Sequence, residues 1–359
     1  MSTVPSVSNP KSHSEIHQNG LSVLPQGELV ADDGAQVRWQ REMAGAVRSR
    51  GELLRRLKIH SLESETAVDA DNRFPVLVPV SYLKRMKPGH LSDPLLLQVL
   101  PTIEESADVL GFVPDAVGDL ASRRTPGLIQ KYFGRALLIT TGACAVHCRY
   151  CFRRDYPYAA EPKSLDEWKP ALEALSTDAT ISEVILSGGD PLMLTDQRLN
   201  RLCRLIDAIP HIERIRIHTR LPIVLPSRVT PELLGMSDQL RSQLIFVVHA
   251  NHPAEIVEDC AAALSQLSRK GFPVLNQAVL MKGVNDDPDV LELLCRRLIN
   301  LGVIPYYLHQ LDRVAGAAHF EVEPETGRAL IEHLRARLPG YAVPQFVVEI
   351  AGRSSKTPL

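Results

Sequence analysis

From residue 136 onward, the chain alternates short β-rich apolar runs with segments whose apolar residues are spaced as in helices. The predicted strands are 136–141, 183–187, 214–219, 243–249, 273–279 and 303–309. Successive strands begin about thirty residues apart, the size of a strand–helix–strand unit, so they should run parallel. The pattern predicts an α/β fold, namely a partial (β/α)6 barrel. A seventh apolar run at 345–350 follows a predicted helix at 325–338 and can add a strand.

The chain before the barrel has a different pattern. Residues 1–35 are poor in large apolar side chains and rich in Ser, Pro, Asn and Gly, which predicts a disordered tail. A helix is predicted at 39–59, and prolines punctuate the segment from there to the first strand. We therefore predict three parts: a disordered tail (1–35), a helical N-terminal region (36–131) and a catalytic barrel (132–359).

Composition narrows the possible partners. The 359 residues are 45% hydrophobic and carry a formal charge of −2, which indicates a globular protein without a strong field for nucleic acid or an anionic membrane. Ser, Thr and Pro follow Met1 where a signal peptide has basic and apolar residues. No apolar run is long enough to span a bilayer. Composition therefore gives no indication of a nucleic-acid or membrane partner.

Three of the six cysteines lie within eight residues, at Cys144, Cys148 and Cys151. Their spacing does not match the paired ligands of a tetrahedral zinc site, and an odd number of adjacent thiols does not suit disulfides. Three thiolates can instead bind three irons of a 4Fe-4S cluster and leave the fourth iron open. The motif predicts such a cluster. An oxygen-sensitive cluster in a chain with free thiols implies a reducing cytoplasm.

Unusual polar residues follow the predicted strands at their carboxyl ends, where barrels of this kind carry their sites. The set comprises the three cysteines, then Ser187, Gly188, Gly189 and Asp190, then Arg220, His249, Gln277 and Asp312. The two glycines would let backbone approach a ligand while N–H and C=O groups stay free to bond it. We expect these residues to line one site.

Further candidates are cationic. Lys131, Tyr132 and Arg135 precede the cysteines and could hold a phosphate, while Arg153 after them suits a carboxylate. Lys356 lies three residues from the end, where a buried run at 345–350 would leave it able to form a Schiff base with pyridoxal 5′-phosphate (PLP). By residue type alone, the cations around the cysteines are equally compatible with ordinary surface charge, and a lysine in a C-terminal tail is almost always solvated.

Together these stretches resemble lysine 2,3-aminomutase, a family of PLP-dependent radical S-adenosylmethionine (SAM) enzymes, from about residue 132 to residue 359. Three segments, 144–154, 305–320 and 355–359, are most similar to the branch that makes (R)-β-lysine for modification of translation elongation factor P. The resemblance implies an isomerase that converts L-α-lysine to β-lysine. It also implies a reductant for the cluster, and a functional link to elongation factor P and its lysine ligase.

The resemblance also implies roles for individual residues. Cys144, Cys148 and Cys151 would bind the cluster; Ser187, Gly188, Gly189, Asp190, His249 and Gln277 would contact SAM; Lys131, Tyr132 and Arg135 would lie near the PLP phosphate and Lys356 would bind PLP; Arg153 would hold the substrate carboxylate, and Asp312 and Glu349 its ε-ammonium. The family often has arginine in place of Lys131 and commonly aspartate in place of Glu349. The longer acid could shift the preference for lysine.

Two alternatives stay open. An aminomutase could act on another amino acid, such as glutamate or arginine, although two acids for a cationic tail disfavour glutamate. A non-catalytic Fe–S protein would also need the three cysteines. It would have no need of Lys356, Arg153 or the two adjacent glycines.

Overall fold

One open sheet of ten strands, ordered as they occur in the chain, organises the computed structural model, which describes residues 33–59 and 74–359. The strands are β1 (Arg123–Thr125), β2 (Leu128–Tyr132), β3 (Arg135–Thr141), β4 (Glu183–Gly188), β5 (Arg214–Thr219), β6 (Gln243–Val248), β7 (Val274–Val279), β8 (Ile304–His309), β9 (Gln345–Val348) and β10 (Thr357–Pro358). Strands β3 to β9 are parallel, whereas β1, β2 and β10 pair antiparallel. The predicted α/β partial barrel is confirmed.

The six predicted strands are found with ends that differ by at most one residue, and the run at 345–350 supplies a further parallel strand. Burial explains this agreement. In β5, for example, the alternate residues Ile215 and Ile217 are fully buried, whereas the next residue, His218, is only partly buried. Apolar alternation of this kind fixes which face of a strand meets the helices.

The helices connect the strands and cover the outer face of the sheet. They are α1 (Asp33–Ala44), α2 (Arg50–Arg56), α3 (Val80–Leu83), α4 (Pro94–Leu97), α5 (Lys169–Thr177), α6 (Asp196–Asp207), α7 (Leu221–Val224), α8 (Pro231–Gly235), α9 (Glu258–Arg269), α10 (Pro288–Asn300) and α11 (Pro324–Arg337). Local sequence sets where they begin. Thr195 accepts a hydrogen bond from the Arg198 N–H at the start of α6, and Asp287 caps α10 ahead of Pro288.

The region before the barrel differs from its prediction in two places. The helix expected at 39–59 is interrupted after Ala44, because Val47 exchanges two backbone hydrogen bonds with Val78. A second helix, α2, then begins after Ser49, whose side chain caps it. Strands β1 and β2 were not predicted, and β2 crosses the boundary proposed at residue 131. The predicted tail falls almost entirely outside the described residues, which begin at Asp33.

A buried contact between α11 and β9 gives a test of this packing. A Cβ atom at Gly327 would lie 2.2 Å from Cζ of the buried Phe346 ring. Alanine is normally better than glycine in a helix by about 1 kcal/mol, but here it would have to displace that ring. We expect Gly327→Ala to lower the free energy of unfolding by about 1–3 kcal/mol in urea titrations.

The matched control is Gly51→Ala at an exposed position of helix α2, where a Cβ atom meets nothing closer than 3.6 Å. That change should be neutral or slightly stabilising. A Gly327→Ala protein as stable as the wild type would contradict the contact between α11 and β9.

Candidate active site

The three clustered cysteines lie in the loop that follows β3, and all are partly exposed free thiols. Burial raises the pKa of the Cys151 thiol to about 11, and the charge of Cys148 raises it further. Burial raises the pKa of Cys144 even more strongly, with contributions from Cys151, Asp190 and Cys148. These mutual effects require the three sulfurs to be near neighbours. Because their pKa values are raised, the Cys144 and Cys151 thiols stay protonated near neutral pH unless a cation binds them.

The spacing of the thiols fits a cluster better than a single ion. Within residues 33–59 and 74–359, one trio of Asp, Glu, His or Cys side chains brings its ligand atoms within 4.8 Å of one another, and it is Asp289, Glu292 and His333. The cysteine sulfurs are therefore spread more widely than the ligands of one metal ion. In a 4Fe-4S cluster each thiolate binds a different iron, which requires that wider spacing.

The loop with two adjacent glycines packs directly on the segment that leads into the cysteines. The N–H of Gly189 donates to the Thr141 carbonyl (2.7 Å) and the N–H of Asp190 donates to the Ala143 carbonyl (2.8 Å). A Cβ atom at Gly189 would lie 2.3 Å from the Ala143 oxygen. The prediction that these N–H groups stay free for a ligand was wrong, because they extend the β3–β4 ladder. The glycines allow two backbones to meet.

Asp190 joins this loop to the end of β5. Its carboxylate accepts hydrogen bonds from the Thr219 hydroxyl (2.7 Å) and from the backbone N–H groups of Arg220 (2.6 Å) and Leu192 (3.0 Å). Burial raises its pKa to about 6 despite these bonds, which favour the ionised form. The carboxylate therefore holds the loop after β4 to the end of β5.

Arg153 is buried between the cysteine loop and the N-terminal region. Its Nε donates to Asp119 (2.6 Å), its Nη1 donates to the Ser187 hydroxyl (3.0 Å), and its guanidinium stacks over Phe152. Asp119 also binds Lys131 at 2.6 Å. Burial raises the pKa of Asp119, but the charges of Arg153 and Lys131 outweigh it, so the net pKa is lowered. One carboxylate thus fixes two of the predicted cations.

The C-terminal hairpin brings Lys356 against Glu349. Thr357 pairs with Val348 in the antiparallel β9–β10 ladder, so the residues on either side of this pair face each other. Lys356 Nζ forms a short hydrogen bond to Glu349, whose other oxygen lies 3.3 Å from Lys131. Burial raises the pKa of Glu349, yet these cations and the Tyr132 hydroxyl lower it overall. Lys356 thus lies immediately before β10 and is held against Glu349, and is not part of a solvated tail.

Asp312 faces the same group of charges. Burial raises its pKa to about 7, an effect to which Glu349 adds and which Lys356 and Lys131 oppose.

Tyr132 and Arg135 flank the β2–β3 turn, at the amino end of β3, and the Arg135 guanidinium lies 4.6 Å from the Tyr132 ring centre. Tyr132 and Arg135 therefore lie near the start of β3, whereas Lys131 of the same predicted group contacts Asp119 and Glu349.

Three histidines lie at or near the carboxyl ends of parallel strands, namely His218 in β5, His249 after β6 and His309 in β8. His249 Nε2 is 3.0 Å from Gln277 Nε2, and its ring is 5.9 Å from that of His218. Burial lowers the pKa of His249 and of His309 to about 3, so both rings are neutral. Within the described residues, His218 Nε2 and His309 Nε2 are buried without a hydrogen-bond partner. Such atoms suit a polar ligand in the interior.

Sequence reasoning missed several buried residues around the site. Glu105 binds both Arg149 (2.6 Å) and Arg154 (2.8 Å), which holds the cysteine loop to the N-terminal region. Asp119 binds Arg153 and Lys131 from the same region. Glu105 and Asp119 lie in a proline-punctuated segment without periodicity, so no local pattern singles them out.

The chain matches known proteins over most of its length. The Radical SAM superfamily model matches residues 138–294. The chain is 44% identical over 322 residues to the L-lysine 2,3-aminomutase of Escherichia coli, a match covering 89% of this chain and 94% of that one. It is 37% identical to the enzyme of Haemophilus influenzae, covering 94% and 99%, and 32% identical to that of Clostridium subterminale, covering 89% and 77%.

Among solved structures, a radical SAM methyltransferase from Sphaerobacter thermophilus aligns with 62% of this chain and 68% of its own, at 19% identity and a TM-score of 0.45. In the part of the chain that the structure describes, every helix is too short or too polar to cross a membrane.

The contact at Gly189 gives a second test. A methyl group there would push the Ala143 carbonyl, and with it the start of the cysteine loop, away from β4. We expect Gly189→Ala to lose most of the iron bound after anaerobic reconstitution, measured as iron and sulfide per chain. Gly235→Ala is the matched control, because its Cβ atom would meet nothing within 4 Å. Full iron content in Gly189→Ala would show that the close backbone approach is not needed.

Proposed function

The chain belongs to the radical SAM lysine 2,3-aminomutase family, and we propose that it moves the α-amino group of L-lysine to the β-carbon and so makes β-lysine. As a member of this family it is an isomerase whose cofactors are a 4Fe-4S cluster, SAM and PLP. One observation carries the proposal. Lys356, Glu349 and Asp312 form a buried group of charges inside the barrel that carries the three cysteines.

When bound, the cluster and SAM supply a radical that takes a hydrogen atom from a substrate carbon, and PLP supplies a π-system that delocalises unpaired spin. The protein groups bind and orient. Cys144, Cys148 and Cys151 would hold the cluster, and Lys356 would bind the PLP aldehyde as a Schiff base. Lys131, Tyr132 and Arg135, at and beside the β2–β3 turn, would lie near its phosphate.

Arg153 would bind the substrate carboxylate. Within the described residues its Nε and Nη1 are used by Asp119 and Ser187, and these bonds hold the guanidinium plane in one orientation. A fixed guanidinium loses little entropy when a carboxylate binds its remaining N–H groups. Ser187 thus supports Arg153 from β4. We also propose that Ser187, His249 and Gln277 contact SAM.

Glu349 and Asp312 would bind the ε-ammonium group. Two carboxyl groups in a partly dry interior favour a cationic tail, because an uncharged or acidic side chain would leave them unpaired. This arrangement argues against glutamate as the substrate. Arginine is also cationic, so the choice between lysine and arginine rests on the lysine aminomutases that the chain matches.

We propose further that the product is the R form and that it serves to modify elongation factor P. Support comes from segments 305–320 and 355–359, which are similar to that branch of the family. The enzyme would then act in the cytoplasm. Its partners would be a one-electron reductant for the cluster and, functionally, elongation factor P and its lysine ligase.

The decisive experiment is anaerobic reconstitution with iron, sulfide, PLP and SAM, followed by reduction with dithionite and incubation with L-lysine. We expect β-lysine by mass spectrometry, of R configuration after chiral derivatisation. Formation of 5′-deoxyadenosine without β-lysine would indicate a different substrate, and arginine would be tested next. Comparison of the mass of elongation factor P from cells with and without the gene tests the proposed use.

Lys356→Ala is the control within that experiment. It should keep its iron but bind no PLP covalently, so that borohydride reduction followed by peptide mapping finds no pyridoxyl group at position 356. A pyridoxyl group on another lysine would overturn the assignment of Lys356.

The raised pKa of Asp312 predicts how lysine affinity depends on pH. As the pH rises through about 7, Asp312 loses its proton and becomes an anion that attracts the ε-ammonium, which stays charged in this range. Lysine should therefore bind about tenfold more weakly one pH unit below that pKa than well above it. Norleucine, which lacks the ε-ammonium, is the matched control and should lack this dependence. If the affinity for norleucine rose with pH as much as the affinity for lysine, Asp312 would be excluded as the cause.

A further inference from the structure

Arg220 has no part in the proposed function, yet it lies beside a cysteine of the cluster motif. It is the first residue after β5 and only 6% exposed. Its Nη1 donates a hydrogen bond to Cys148 Sγ at 2.6 Å. Its guanidinium also lies over the rings of Tyr82 and Tyr150, at 5.6 and 5.5 Å from their centres.

The other contacts of Arg220 hold its guanidinium in this orientation. Nη2 donates to Glu255 (2.8 Å) and to the Gln98 side-chain oxygen (2.6 Å), and the backbone N–H donates to Asp190. Glu255 is fully buried and also accepts a hydrogen bond from the Tyr82 hydroxyl (2.9 Å). Turning Arg220 away from Cys148 would break several buried charge-assisted bonds at once, which costs much more than it gains.

The other buried arginines near the motif are directed differently. Arg149 uses Nε and Nη2 for Glu105, and Arg154 uses Nη2 for the same carboxylate. Arg220 instead has Glu255 on the side away from the cysteine, so its Nη1–H points to the sulfur. This separation places positive charge next to the thiolate and negative charge behind it.

We propose that Arg220 raises the reduction potential of the 4Fe-4S cluster through its hydrogen bond to Cys148. The inference rests on the proposed ligation of the cluster by the three cysteines. Reduction adds one electron, taken from a low-potential one-electron donor, and makes the cluster more negative by one charge. A cation bonded to a ligand sulfur stabilises that reduced state more than the oxidised state. Removal of the bond should therefore make reduction harder.

The test compares two variants that carry the same substitution at position 255. Arg220→Met/Glu255→Gln removes the cation and its buried counterion together, so that no charge is left unpaired, while Glu255→Gln alone retains Arg220. Iron and sulfide are counted first, and the midpoint potential is then measured by redox titration followed by electron paramagnetic resonance. The midpoint potential of the double variant should be lower than that of Glu255→Gln by at least about 59 mV. At the midpoint of Glu255→Gln, the double variant would then have a tenfold lower ratio of reduced to oxidised cluster.

Arg214→Gln is the control at the opposite end of β5, where the arginine binds Glu213 and Ser182 near the surface. It should not shift the potential. An unchanged midpoint in the double variant with full iron content would overturn the inference, as would an equal shift in Arg214→Gln. A wild-type protein that fails to make β-lysine would instead count against the proposed function, because the potential is measured without substrate.

A measurement on the wild type covers the case in which the double variant assembles no cluster. Reconstitution in H2O and in D2O, followed by pulsed electron–nuclear double resonance of the reduced cluster, should detect an exchangeable proton coupled to it. The Tyr150 hydroxyl also hydrogen-bonds Cys148, so the spectra are compared in a Tyr150→Phe background. There Arg220→Lys, which keeps the charge but lacks the planar fork, should lose the coupling. No exchangeable proton in Tyr150→Phe, or one that persists when Arg220→Lys is added, would overturn the hydrogen bond from Arg220 to Cys148.

Discussion

The site depends on a close contact between two backbone segments, the one that follows β3 and the one that follows β4, which continue the hydrogen bonding of the two strands. The N–H groups of Gly189 and Asp190 bond to the carbonyls of Thr141 and Ala143, immediately before the first cysteine. This contact requires that residue 189 have no side chain. It fixes the start of the cysteine loop relative to β4. Through the carboxylate of Asp190, it also fixes the end of β5, from which Arg220 reaches Cys148.

A second constraint is the balance of buried charge inside the barrel. Three cations, Arg153, Lys131 and Lys356, alternate with the two acids Asp119 and Glu349, and each acid touches two of the cations. Buried ion pairs add little net stability, because desolvation offsets much of their attraction. The arrangement is better understood as a device for orientation. Loss of one member would leave a neighbour unpaired, so the group keeps one geometry into which charged ligands fit.

The parallel strands were predicted well because each is a short run rich in β-branched and apolar residues, and their parallel order follows from the spacing of the runs. That order also predicted the location of the cysteines, Ser187, His249 and Asp312 at neighbouring loops. The partners of these residues could not be predicted. Asp119 and Glu105 come from a segment without periodicity, and their roles depend on which arginines the tertiary fold brings to them. The helix at 39–59 was predicted too long for the same reason, since Val78 is distant in sequence.

The C-terminal hairpin connects the position of Lys356 to the identity of the acid opposite it. Because Thr357 of β10 pairs with Val348 of β9, Lys356 lies opposite the residue that follows Val348. Glu349 occupies that place, and its longer side chain lets the two oxygens reach Lys356 and Lys131 separately. The carboxylate proposed to bind the substrate ammonium thus already binds the lysine proposed to hold PLP. If Lys356 holds PLP, its amine would bond to the cofactor and its contact with Glu349 would change. The same carboxylate would then have to release Lys356 or Lys131 to bind a substrate ammonium.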